Sequence, residues 1–343
     1  MVDVFESLVC ICIPTYNAEK TISATLHSVL TQTHRNLIVL VIDNNSTDGT
    51  VAVVESFVDN RITLHCNSVN VGGEGNFNRC IALSKGKYTA IYHADDIYES
   101  TMVAAQVEFL ERYPQAGAVF TEALVIDELD LPIGEIHQPK NLMANGPLLH
   151  FIEVFKAILE YSNFLICPSA MVLTNVYQDE IKSWRGDLFG SSADLDVWLR
   201  LLQRHPIGIL PLKTMRYRIS RSQGSASVRL NTGRADFFRV MDHYLAQEDV
   251  LHFLTAGDVI NYERLERRDQ VMRAVNAVLQ DQPDLAMKLC PNIFSRSTLK
   301  SALQTRRGMI VLLLGMCLKA LLFIRWQRFA KVMLEQIKRM ANK

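Results

Sequence analysis

The sequence predicts an α/β fold: a mostly parallel sheet flanked by helices, followed by a helical extension. Three observations predict it. Apolar runs of strand length at 8–13, 37–42, 62–66 and 88–92 alternate with helix-spaced segments at 19–30, 49–58 and 74–84. That strand–helix–strand repetition places helices on the faces of parallel strands. The chain is long and ordinary in composition, with 343 residues, 49% hydrophobic and 21% charged, which excludes a disordered, collagenous or disulfide-scaffold protein. Beyond about residue 229 strand patterns stop, and 235–246, 259–280 and 281–289 read as helices.

Each early strand ends in polar or small residues, and in a parallel sheet the carboxyl ends of the strands form the binding crevice. The first strand is followed by Pro14, Thr15, Tyr16 and Asn17, and the second by Asp43-Asn44-Asn45-Ser46-Thr47-Asp48-Gly49. The third gives Asn70-Val71-Gly72-Gly73, and the fourth His93-Ala94-Asp95-Asp96, ahead of a helix read over 97–110. A nucleotide needs a ring platform, an acceptor for its base or ribose, and neutralisation of its phosphates; Tyr16, Asp43 and the Asp95/Asp96 pair supply these. Neither GxGxxG after the first strand nor GxxxxGK[ST] anywhere is present, so the dinucleotide and P-loop cradles are absent.

Overall charge is balanced, 36 basic against 36 acidic residues, but unevenly placed. From Lys300 onward ten Lys/Arg face one acid, Glu335, so the tail carries +9 and the rest of the chain −9. Within this tail, 309–324 is apolar apart from Lys319. As a helix it spans about 24 Å, short of a hydrocarbon core of ~30 Å. A basic, apolar helix lying in an anionic membrane interface fits better than a span, and nucleic acid fits poorly. Seven cysteines without metal spacing and a start lacking a basic n-region point to a reducing, cytoplasmic setting, peripheral on the cytoplasmic face of the inner membrane.

On these residues the sequence resembles the inverting family 2 glycosyltransferases of the GT-A fold. The matching pieces are Ile13-Pro14-Thr15-Tyr16-Asn17, Val41-Ile42-Asp43-Asn44-Asn45-Ser46-Thr47-Asp48-Gly49-Thr50, Asn70-Val71-Gly72, Gly75-Asn76-Phe77-Asn78-Arg79 and His93-Ala94-Asp95-Asp96. The resemblance covers roughly residues 8–220. It implies that Pro14, Thr15, Tyr16 and Glu19 line the base and ribose pocket, and that Asp43 accepts a hydrogen bond from a uracil or thymine imide. Asn70, Gly72, Asn76 and Arg79 would lie along the diphosphate and sugar, as would Arg218, with Arg221 behind it on a Ser/Gly loop that closes over the donor. Asp95 and Asp96 would hold Mn²⁺ or Mg²⁺, although His93 stands at the first acidic position of the family's DxD. Ser191-Ser192-Ala193-Asp194-Leu195-Asp196 matches the acidic motif that carries the catalytic base, with Ala193 where the family has Glu. Asp194 is the expected base. Asp196 competes, but it lies about 200° around a helix, so only one of the two can face the cleft.

The resulting expectation is a GT-A catalytic domain over 1–225, with a nucleotide half (1–100) and an acceptor half (101–225), a helical appendage at 226–300 and a membrane-associating tail at 301–343. It would move a sugar from a UDP- or dTDP-linked donor to a hydroxyl of a saccharide or lipid-linked saccharide, with metal assistance. The departures at His93 and Ala193 motivate one alternative, a non-catalytic nucleotide-sugar-binding or scaffold subunit of a polysaccharide assembly complex. A processive synthase is disfavoured, because Arg325-Trp326 lacks the Gln that completes Q-x-x-R-W and only one apolar segment is present.

Overall fold

The computed structural model describes residues 7–220, 230–290 and 306–323, together with Val332. The chain forms two compact units, Met1–Phe155 with Asn163–Ser220, and Lys156–Ser162 with Arg221–Lys343. The expected Arg221–containing lid and the Arg325-Trp326 pair lie outside the described residues.

In the first unit the elements run β1 (Val9–Thr15), α1 (Ile22–Leu30), β2 (Leu37–Asp43), α2 (Thr50–Glu55), β3 (Ile62–Cys66), α3 (Gly72–Leu83) and β4 (Tyr88–Ile91). They continue with β5 (Ile97–Tyr98), α4 (Met102–Arg112), β6 (Ala118–Ile126), β7 (Pro132–Ile136), α5 (Lys140–Met143) and α6 (Phe151–Tyr161), which from Lys156 on belongs to the second unit. Last come β8 (Met171–Leu173), α7 (Gly186–Phe189), α8 (Ala193–Leu202) and β9 (Ile207–Arg218). The strands form one nine-stranded sheet in the order β3-β2-β1-β4-β8-β6-β9-β5, with β7 on β6. Pairing among β3, β2, β1 and β4 is parallel. In β1 every residue from Val9 to Ile13 is fully buried, as a central parallel strand covered by helices on both faces requires.

The register aligns Thr15 with Asp43 and Asp43 with Cys66. The loops after β1, β2 and β3 therefore leave the sheet at one level, which is how segments far apart in sequence come to share a crevice. One expectation is corrected here. Residues 97–110 are not a continuous helix: Ile97 and Tyr98 pair antiparallel with Arg216 and Met215 of β9, and the helix starts at Met102. Apolar spacing cannot separate a two-residue strand from a first helical turn; the pairing partner 117 residues away makes the choice. Asp95 is consequently a loop residue rather than a helix cap.

The second unit is helical, with Asp236–Leu245, Glu248–His252, Ala256–Leu279, Pro283–Leu289 and Arg306–Phe323. The long helix begins in a reciprocal capping box between Thr255 and Asp258, which satisfies two of the backbone donors a helix start leaves open. Ala274, Val275, Ala277, Val278 and Ala286 form a small core with Leu318 and Leu322. Residues from the segment expected as an appendage (226–300) and from the expected tail (301–343) pack in this one core, and the first unit runs to Ser220. No helix among the described residues is long and apolar enough to cross a membrane.

Candidate active site

The loops after β1 and β2 are bound to each other before any ligand is considered. Asn17, at φ +50°, accepts the Thr47 amide at 2.8 Å and donates its own amide to Ser46 Oγ at 2.9 Å. A left-handed backbone is tolerated by Asn better than by most residues, because its short side chain bonds locally. Asp43 is buried and accepts from Ser46, at 2.9 Å from the amide and 2.5 Å from the hydroxyl. A carboxylate offers about four acceptor positions, so these two bonds orient Asp43 and leave capacity for a base. Beside it Pro14 is half-buried, Thr15 is buried, and Tyr16 is 49% exposed as a free ring platform.

Glu19, expected to line the pocket, instead accepts the Gly49 amide at 3.1 Å at the start of α2. A Cβ on Gly49 would sit 2.6 Å from that carboxylate, so a larger residue there would have to displace the Glu19 side chain. Asn70 and Asn76, expected along the diphosphate and sugar, are hydrogen-bonded within the protein. Asn70 Oδ1 accepts from Asn44 Nδ2 and from the Gly72 amide. Asn76, 3% exposed, donates to the Ile42 carbonyl at 2.8 Å and accepts from Asn67. Asn44 and Asn67 complete this buried amide network, and neither had been singled out as a site residue. The network holds the turn at Gly72, whose φ of +77° favours glycine. Of the residues expected along the diphosphate, Arg79 alone is an exposed cation, without an ion-pair partner among the described residues.

At the end of β4, ligand atoms of His93, Asp95 and Asp96 lie within 4.8 Å of one another. Asp96 is fully buried; one oxygen accepts the Arg218 amide at 2.8 Å, and the other has no hydrogen-bond partner. Burial first, and then the neighbouring Asp95 carboxylate, push the Asp96 carboxyl well above its ordinary range. His93 Nε2 is likewise buried without a partner, and burial holds that imidazole below its usual range. Orphaned buried oxygen and nitrogen atoms beside a half-buried carboxylate are a donor set that suits a divalent cation.

Arg218 was expected to contact the diphosphate. Its side chain is 8% exposed and bonds to protein instead: to the Asp95 carbonyl at 2.7 Å, the Asp127 carbonyl at 3.1 Å and the Asp130 carboxylate. With its backbone amide on Asp96, it fastens the 95–96 loop to the end of β9. A guanidinium suits this task because its donors form a rigid planar fork.

The two candidate bases on α8 separate cleanly. Asp196 is fully buried, paired with Arg185 and, at 3.0 Å, with Arg200. Arg200 also donates to the carbonyls of Ile181 and Ser183 at 2.7 Å. Asp196 therefore organises the 181–185 segment and is removed as a candidate base. Replacing it with Ala strands two partly buried cations, and a loss of about 3–5 kcal/mol is expected, measurable as a lower urea midpoint with unchanged m-value; an unaltered midpoint would refute the structural role.

Asp194 is half-buried, and burial pushes its carboxyl up to about 6. The Leu195 amide at 2.8 Å and Asn163 Nδ2 at 3.5 Å oppose that shift. Cys167 is buried, and burial first, then the Asp194 and Asp96 carboxylates, push its thiol well above the ordinary range. Asn163 and Trp184 came from a stretch without a recognisable motif. Trp184 stacks on Phe77 of α3 with centroids 4.4 Å apart, and its amide donates to Asn78 at 2.8 Å. The segment carrying Arg185 is thereby held against α3 on one side and α8 on the other.

Comparison with known proteins agrees with this geometry. Residues 10–155 match the family model described as Glycosyl transferase family 2. An uncharacterised glycosyltransferase of Haemophilus influenzae is 29% identical over 224 residues, 64% of this chain and 68% of that one. A UDP-Glc:α-D-GlcNAc-diphosphoundecaprenol β-1,3-glucosyltransferase of Escherichia coli is 36% identical over 104 residues, 30% of this chain, and the match spans 41% of the relative's length. Among solved structures, TarS 1–349 of S. aureus superposes with a TM-score of 0.56 at 15% identity, covering 91% of this chain and 90% of that one. A mannosyltransferase from Pyrobaculum calidifontis gives 0.53 at 14% identity, covering 98% and 86%. The sheet follows the GT-A arrangement of these neighbours, and residues 10–155 carry the glycosyltransferase family 2 domain of a transferase.

Proposed function

We propose that the protein is an inverting transferase that moves a sugar from a UDP- or dTDP-linked donor to a hydroxyl of a saccharide or lipid-linked saccharide. The observation that carries this reading is Asp194, the acid of α8 without an ion pair among the described residues, with its carboxyl at about 6. A group with that pKa is ionised at neutral pH and still basic enough to take a proton in the transition state. Asp194 removes the acceptor hydroxyl's proton as that oxygen bonds to the anomeric carbon. The bond from the same carbon to the diphosphate oxygen breaks, its electron pair leaves with the nucleoside diphosphate, and configuration at the carbon inverts.

Tyr16 and Asp43 bind the base, with the Asn17–Thr47 bond holding their loops in register, and Arg79 offers positive charge to the diphosphate. Asp95 and Asp96 would hold a divalent cation, which as a Lewis acid stabilises charge on the departing diphosphate. Arg218 is a positioning residue for that loop. The lipid-linked acceptor class follows the E. coli relative, whose name specifies a diphosphoundecaprenol acceptor.

A panel of nucleotide sugars, scored for nucleoside diphosphate release with undecaprenyl-diphosphate-linked saccharides supplied, tests the reading. Release from one UDP- or dTDP-sugar is expected. Release from GDP-sugars alone would overturn the donor class, and tight donor binding without release would favour the scaffold alternative.

A further inference from the structure

We infer that the helix Arg306–Phe323 binds an anionic lipid surface through one face. This inference names the membrane partner of the proposed reading, but its residues belong to the second unit and can be tested apart from catalysis. The helix is two-sided in a way its sequence conceals, because apolar residues surround it. Gly308, Gly315, Leu318 and Leu322 are buried, the two leucines against the Ala274–Val278 core. On the opposite face Met309, Ile310, Leu313, Met316, Ala320 and Phe323 are exposed, Leu313 to 63% and Phe323 to 83%.

At 100° per residue these six positions fall within a stripe about 140° wide, and half-buried Lys319 stands about 40° beyond its Phe323 edge. A lysine there can keep its stem along the apolar surface while its ammonium reaches the headgroups. Intracore burial already accounts for the other face, so the stripe is not explained by folding of the unit. An exposed contiguous apolar surface of this kind marks an interaction site.

Charge selects the occupant. The segment from Lys300 onward holds ten Lys/Arg against Glu335. Two copies meeting stripe to stripe would bring two such segments together, whereas an anionic bilayer attracts them and accepts the apolar side chains at its headgroup boundary. The helix has 18 residues and is not apolar enough to cross, so it lies in the interface.

Co-sedimentation of the full chain with phosphatidylcholine vesicles, with and without about a third phosphatidylglycerol, tests this. Binding at least roughly tenfold stronger to the anionic vesicles, weakened by salt, is expected. Leu313→Glu with Met316→Glu should lower it on the order of tenfold or more, with UDP affinity and the thermal midpoint retained. Because both side chains are exposed, the variant should fold; Leu313→Ser, a milder change, should give an intermediate loss. Absence of sedimentation, vesicle binding indifferent to the stripe, or a lipid-independent dimer abolished by the double variant would each overturn the inference. Loss of UDP binding in the wild type would instead count against the catalytic reading, leaving this one standing.

Discussion

Asp194→Asn lowers the turnover number about a thousandfold, within the range that removal of a general base produces, and leaves UDP affinity nearly unchanged. The amide keeps the size and the hydrogen-bonding capacity of the carboxylate but cannot take the acceptor's proton. The wild type carries a pH signature that identifies the group. With the Asp194 carboxyl at about 6, its basic form predominates above that pH and is lost below it. Log kcat should be flat above about pH 6 and fall with a slope near one as pH drops further. Asn163 opposes the raised pKa, so Asn163→Ala should move this acid limb upward. An acid limb that survives in the residual activity of Asp194→Asn would assign the limb to another group.

Chelation and Asp95→Asn should converge on a comparable loss. Stabilising a departing diphosphate is worth several kcal/mol, so turnover in EDTA should fall by about a thousandfold and return with Mn²⁺. Asp95→Asn should weaken Mn²⁺ binding in the presence of UDP, read by electron paramagnetic resonance, a measurement independent of turnover. Asp96→Asn differs in kind. Its carboxyl is fully buried and accepts the Arg218 amide, so it should lower the thermal midpoint as well as metal affinity. Full turnover in EDTA, with Asp95→Asn equally active, would remove the metal from the proposal.

The two halves of the site were unequally legible. Alternating strands and helices, with polar residues at each strand's end, carried β1 to β4 and the residues after them, because these features are local and periodic. Asp43 and Tyr16 stand after β2 and β1, where that local pattern placed them. For Asn76 the place on the helix was legible, but not that Asn44 and Asn67 would enclose it. A buried amide and a ligand-binding amide have the same sequence appearance. Glu19 and Arg218 likewise bond to backbone groups remote in the chain, at Gly49 and Asp95, which no local pattern announces.

Fold class, the order of the loops lining the crevice and the two acids proposed as base candidates were legible from local pattern. Hydrophobic periodicity and loop chemistry act over a few residues, and both can be read in one dimension. Tertiary structure alone decided between Asp194 and Asp196. That choice depends on Arg185 and Arg200 enclosing one carboxylate and on burial raising the pKa of the other. It also decided which face of the helix Arg306–Phe323 is covered, since an apolar residue reads the same against a core as against a lipid surface. Charge pairing and burial are properties of what surrounds a side chain, and those surroundings exist only once the chain has folded.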